Sequence, residues 1–167
     1  HKVRVKIKIC GVKDLEIAKH AIKCGATFLG FVFFKNSKKN ISINQCSEIL
    51  NEIDGKVNTV AVTVNPTYGE LETYSKMKFT HVQLHGNESL NELEKIRENF
   101  NFKIIKSFSI SANSDLKNIS SYYSLVDFIL LDSKEKKDMP GGTGETFDWK
   151  IIRNFSPNKS FFLSGGL

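Results

Sequence analysis

Cysteine is scarce in this 167-residue chain: Cys10, Cys24 and Cys46 are its 3, and they include no Cys-x-x-Cys pair. An odd, widely spaced set argues against a disulfide framework or a zinc knuckle and fits a reducing compartment. Proline is equally rare, with 3 residues, and no Pro- or Ser-rich linker divides the sequence, so a single domain over residues 1–167 is expected. No run approaches the ~18 apolar residues of a membrane span, and no apolar segment follows the basic N-terminal residues, which argues against a secretory signal. Walker, Gly-x-Gly-x-x-Gly and Ser-His-Asp patterns are missing as well, removing the usual marks of nucleotide binding and serine hydrolysis. A cytoplasmic protein without a membrane partner is the expectation.

What is present suffices for a core. Hydrophobic residues make up 40% and aromatics 11%, enough for one well-buried domain. Lys and Arg total 24 against 18 Asp and Glu, a net charge of +6. The lysines are scattered, whereas a nucleic-acid footprint would cluster them and interleave aromatics, so no nucleic-acid partner is expected. The excess positive charge suits an anionic small molecule drawn in at long range.

Short β-branched and apolar runs alternate with amphipathic stretches along the whole chain. Strands are predicted at Val5–Cys10, Thr27–Phe34, Asn58–Val64, His81–His85, Lys103–Phe108, Asp127–Asp132 and Ser160–Leu163. Helical spacing joins Leu15, Ala18 and Ile22, then Cys46, Ile49, Leu50 and Ile53, then Leu90, Leu93, Ile96 and Phe100. The last of these opens on Asn87, Glu88 or Ser89 as cap. About seven βα units in one array leave two α/β architectures, a closed (β/α)₈ TIM barrel and an open doubly wound sheet. Nearly every strand ends in a polar or small residue: Cys10, Lys35, Asn65, His85, Ser107 or Ser109, Asp132 and Ser164. A barrel gathers all those tips around one mouth, whereas an open sheet uses only those at its switch point, so the barrel is favoured.

Strand alternation sorts the tips further. Ile7 and Ile9 should face helices, leaving Lys8 and Cys10 together on the inner face, where the ammonium would favour a thiolate. Gln83 and His85 share a face by the same rule. Asp132 ends an apolar strand, and an unpaired buried carboxylate costs several kcal/mol, so a substrate or a lysine should face it. The Gly141–Gly144 stretch that follows offers backbone amides to an anion. His81 and His85 lie roughly 13 Å apart along a strand, too far to share a metal ion, and no metal site is expected. His20 should face solvent. Cys24 and Cys46 are expected to be packing residues.

These segments together resemble one family. Lys8-Ile9-Cys10-Gly11, Gly30-Phe31-Val32-Phe33 followed by Ser37, and Val82-Gln83-Leu84-His85-Gly86 carry the first half. Leu131-Asp132-Ser133, Gly141-Gly142-Thr143-Gly144 with Phe147-Asp148-Trp149, and Leu163-Ser164-Gly165-Gly166-Leu167 carry the second. In this order they are similar to phosphoribosylanthranilate isomerase, a cofactor-independent (β/α)₈ barrel of tryptophan biosynthesis. The resemblance implies an Amadori rearrangement of N-(5-phosphoribosyl)anthranilate to 1-(2-carboxyphenylamino)-1-deoxyribulose 5-phosphate, with Cys10 as general base and Asp132 as general acid. It further implies that this phosphosugar meets Lys39, Gln83 and His85, and that Gly142, Thr143, Gly144, Ser164, Gly165 and Gly166 serve substrate binding, their backbone amides toward the phosphate. A monomer or homodimer is expected.

Two departures from the family pattern stand out. Ser37-Lys38-Lys39 replaces a Ser-Pro-Arg run, so Lys39 keeps the charge for the anthranilate carboxylate without the bidentate fork of arginine. The pattern also stops at Leu167, short of an eighth strand, so the barrel is read as C-terminally incomplete. The competing readings are a histidine-pathway phosphosugar isomerase, against which Cys10 argues, and a catalytically silent or truncated phosphate-binding barrel.

Overall fold

Each α-helix among the described residues begins on a side chain that accepts from its first free amides, the devices that stop a helix from fraying. Asp14 accepts from the amides of Glu16 and Ile17 at the head of α1 (Leu15–Lys23), and Ser42 from that of Gln45 at α2 (Ile43–Ile53). Thr67 with Glu70 and Ser89 with Glu92 form capping boxes on α3 (Tyr68–Lys76) and α4 (Leu90–Asn99). Of the three cap candidates for α4, the structure uses Ser89. The computed structural model describes residues 5–110, 118–133 and 160–164.

Between the helices run β1 (Lys8–Cys10), β2 (Phe28–Val32), β3 (Asn58–Thr63), β4 (His81–Leu84), β5 (Lys103–Ile110), β6 (Phe128–Ser133) and β7 (Ser160–Ser164). All seven are parallel and pair in sequence order from β1 to β7. A 3₁₀ turn at Ile119–Tyr122 precedes β6. Strand order alone fits either architecture, but ring contacts decide between them. Phe28 on β2 lies 5.2 Å from His81 on β4, 5.9 Å from Phe128 on β6 and 5.1 Å from Phe162 on β7. Only a sheet curled on itself brings those strands' inner faces together, so the seven strands form a curled, barrel-like wall.

Alternation then divides the core. Phe28, Val32, Val60, Val62, Ile105 and Leu130 fill the inside of the curl. Leu29, Phe31, Ala61, Val82, Leu84, Ile104, Ile129 and Leu131 face outward into the helix layer with Ala18, Cys46, Ile49, Leu71, Leu93 and Ile96. Each large apolar side chain so buried is worth about 1.5–3 kcal/mol, and the two layers fix which residue of each strand looks into the mouth. Among the described residues, no helix is long and apolar enough to cross a membrane.

Several expectations are corrected. Ile7 and Ile9 are 47% and 39% exposed rather than covered by helices, because among the described residues β1 pairs with β2 alone and stands at one edge of the sheet. Cys24 is exposed. It caps the C-terminus of α1 with its sulfur 3.5 Å from His20 Nε2, so the apolar spacing of that helix does not extend to it. Cys46 is fully buried, and burial pushes its thiol up to about 12.

Candidate active site

The candidate site lies at the C-terminal ends of the strands. On β1 the Lys8 ammonium interacts with the Cys10 side chain; burial lowers the lysine's pKa while Cys10 opposes that shift and Lys39 adds to it. Room for the thiol comes from Gly30, opposite Cys10 in the β1–β2 register. A Cβ at Gly30 would stand 3.3 Å from both Cys10 Cα and Cys10 Sγ. Gly11 follows the thiol with φ +84°, in the left-handed region that glycine tolerates, and a side chain there would run into Lys39. Its amide and that of Val12 both donate to the Gly30 carbonyl, at 2.9 and 3.0 Å. The turn after β1 is thereby tied down, with the Lys39 stem lying across it.

Across the mouth, β6 presents Asp132, which the ladder pairs with Ser109 on one side and Ser164 on the other. His85 follows β4 and donates its amide to the Thr63 carbonyl at 2.9 Å. The residue is exposed at the rim, yet the wall beside its ring removes enough water to lower its pKa. The Asp132 carboxylate opposes that shift, whereas the cations Lys106 and Lys8 reinforce it. Cys10, Lys8, His85 and Asp132, from three separate strands, therefore share one electrostatic neighbourhood. Ser107 and Ser109 of β5 meet His85 in a cleft of about 490 Å³ that Glu88, Lys106 and Tyr122 also line.

Gln83 sits lower on β4. It is 3% exposed, with its Nε2 3.5 Å from His85 Nδ1 and no partner for Oε1 among the described residues. It underlies His85 rather than lining the rim. Gly142, Thr143, Gly144, Gly165 and Gly166 lie outside the described residues. Among the charged residues of the cleft, Glu88 and Lys106 have no site role foreseen from the sequence. From sequence Glu88 is only a cap candidate for α4, whereas a lysine such as Lys106 among the buried residues of β5 is a signal that demands a partner.

A parallel α/β barrel wall with a thiol, a carboxylate, an imidazole and lysines at one rim defines an enzyme of the kind that handles small anionic substrates by proton transfer. The family model of N-(5'-phosphoribosyl)anthranilate (PRA) isomerase matches residues 7–167. The N-(5'-phosphoribosyl)anthranilate isomerase of Rhizobium johnstonii is 38% identical over 168 residues, covering 99% of this chain and 76% of that protein. The crystal structure of the Thermotoga maritima phosphoribosyl anthranilate isomerase superposes with a TM-score of 0.86 at 36% identity, over 98% of this chain and 78% of that one. A phosphoribosyl anthranilate isomerase in complex with reduced 1-(o-carboxyphenylamino)-1-deoxyribulose 5-phosphate superposes with a TM-score of 0.83 at 32% identity, over 98% of this chain and 77% of that one. The chain belongs to the phosphoribosylanthranilate isomerase family. It is an isomerase of tryptophan biosynthesis.

Proposed function

We propose that Cys10 is the general base and Asp132 the general acid of an Amadori rearrangement of N-(5-phosphoribosyl)anthranilate at this mouth. The observation that carries the reading is the convergence of Lys8, His85 and Asp132 on one inner rim, with Cys10 held against Lys8. The bound reduced product analogue of the similar isomerase supports the same substrate class here. Asp132, as the acid, gives its proton to the ribose ring oxygen as the C1′–O bond breaks, leaving an iminium between C1′ and the anthranilate nitrogen. Cys10, as thiolate, takes the C2′ proton, and the electron pair of that C–H bond neutralises the iminium to an enolamine. Tautomerisation to the ketone completes the reaction with no net change in oxidation state. Acid and base work together because the two groups stand on opposite sides of the substrate in opposite protonation states.

Lys39 serves the anthranilate carboxylate as a single point charge, an assignment supported by its position over Gly11 beside Cys10. His85 hydrogen-bonds the substrate beside Asp132, and Gln83 supports its ring from below. The phosphate falls to the backbone of Gly142, Thr143, Gly144, Gly165 and Gly166 with Ser164, of which Ser164 pairs with Asp132 in the ladder. Steady-state turnover of phosphoribosylanthranilate by the Cys10→Ala and Asp132→Asn variants tests the roles. Loss of kcat with KM within several-fold supports them; undiminished turnover in either variant refutes that assignment.

A further inference from the structure

Buried between β4 and β5 lies an ion pair that the acid–base reading leaves unused. Glu88 and Lys106 are each 3% exposed, and Lys106 Nζ stands 2.8 Å from Glu88 Oε1. Taking two charges out of water costs several kcal/mol each, and a well-packed apolar pair of the same volume is often as stable or more so. Packing alone therefore gives little reason for charges here. Their hydrogen bonds give a better one. The Lys106 ammonium also donates to the Gly86 carbonyl at 2.7 Å and to the Leu84 carbonyl at 3.5 Å. The Glu88 carboxylate accepts the Gly86 amide, 2.9 Å from Oε1, and the Asn65 amide, 2.8 Å from Oε2.

The backbone groups so held lie on either side of one residue, His85. Leu84 precedes it and Gly86 follows it, and its own amide is fixed to Thr63. Asn65, the turn residue after β3, has φ 44°, a conformation that non-glycine residues rarely adopt without support. There the Glu88 carboxylate anchors its amide. The ends of β3 and β4 are thus tied to β5 around the His85 imidazole, on which the Asp132 carboxylate acts. We propose that Glu88 and Lys106 are positioning residues, which act through the peptide groups of Leu84 and Gly86 to aim the His85 ring at the reacting substrate. This rests on the acid–base reading of the mouth. A fixed ring counts at the transition state, where misplacement by an ångström is costly.

The test uses the full chain carrying Glu88→Gln with Lys106→Met, a pair of changes that leaves no uncompensated buried charge. Positioning predicts a folded protein with KM within about threefold, kcat lowered about 10- to 100-fold, and shifted His85 ring resonances in the NMR spectrum. A folded double variant with wild-type kcat and unmoved His85 resonances overturns the proposal. Should the double variant fail to fold, Glu88→Asp keeps both charges while shortening the reach to Gly86 and Asn65, and is judged by the same two readouts. Failure of the underlying reading is seen separately, because Cys10→Ala would then turn over normally whatever the Glu88 and Lys106 variants do.

Discussion

The inside of the barrel carries a histidine at each end of β4, and the two show how position along a strand decides what a side chain does. His81 is 3% exposed and packed against Phe28 and Phe128 at 5.2 and 5.5 Å, with its Nδ1 2.7 Å from the Thr80 hydroxyl. Burial lowers its pKa to about 4, helped by Lys103 and Lys6 and opposed by Asp127. It is an imidazole kept neutral in an aromatic floor. His85, on the same face one strand length higher, is an exposed residue whose ring senses Asp132, Lys106, Lys8 and Glu88. Burial shifts both in the same direction, but only His85 can be reached by a substrate. The floor packs, and the rim is where the proposed proton transfers fall, which is the division of labour expected of a barrel.

Ways to break that division begin with the rim. Cys10→Ala and Asp132→Asn should each lower kcat by roughly 10²- to 10⁴-fold with melting temperatures near the parent's. Gly30→Ala comes next. Its Cβ would sit 3.3 Å from Cys10 Cα, Cys10 Sγ and Val62 Cγ2, tighter than ordinary contact, so Cys10 or Val62 must give way. A loss in kcat of about tenfold or more is expected, since small displacements of a reacting group are costly, and kinetics alongside a thermal melt separate that from unfolding. Lys39→Ala should raise KM several-fold with kcat little changed, and Lys39→Arg should hold or lower KM through the bidentate fork; unchanged KM in both would assign Lys39 to the surface.

The smallest effect belongs to the floor and appears only in acid. The folded-state pKa of His81 lies below its ordinary 6.5, so the unfolded chain binds more protons between about pH 6.5 and pH 4. Its contribution to stability is complete above that window and is lost as the pH falls through it. His81→Phe removes the titration and leaves Thr80 bonded to the Thr59 carbonyl at 2.9 Å. The variant's melting temperature should therefore fall less than the parent's between pH 7.5 and pH 4.5.

Much of this could be read from the sequence because two periodicities were clean. Alternation in Lys8-Ile9-Cys10 and Gln83-Leu84-His85 paired residues that the structure brings together, and the cap Ser89 marks a helix start in a local code. What could not be read was long-range. No local signal says that Glu88 meets Lys106, 18 residues on, or that Lys39 crosses Gly11, because those meetings are set by how adjacent βα units stack. Edges mislead for the same reason: Ile7 and Ile9 alternate like covered residues, but coverage depends on neighbours far along the chain. The glycine-rich segments at 142–144 and 165–166 lie outside the described residues, so their expected part in phosphate binding stands as a proposal from sequence.

The contrast between rim and floor is tested most directly by measuring kcat at saturating phosphoribosylanthranilate for His85→Asn and His81→Phe side by side, with melting temperatures at neutral pH. The expected result is a kcat lowered about tenfold or more in His85→Asn with its stability intact, and a parental kcat in His81→Phe. A folded His85→Asn enzyme with undiminished kcat, or a folded His81→Phe enzyme that has lost it, would contradict the division between chemical rim and structural floor.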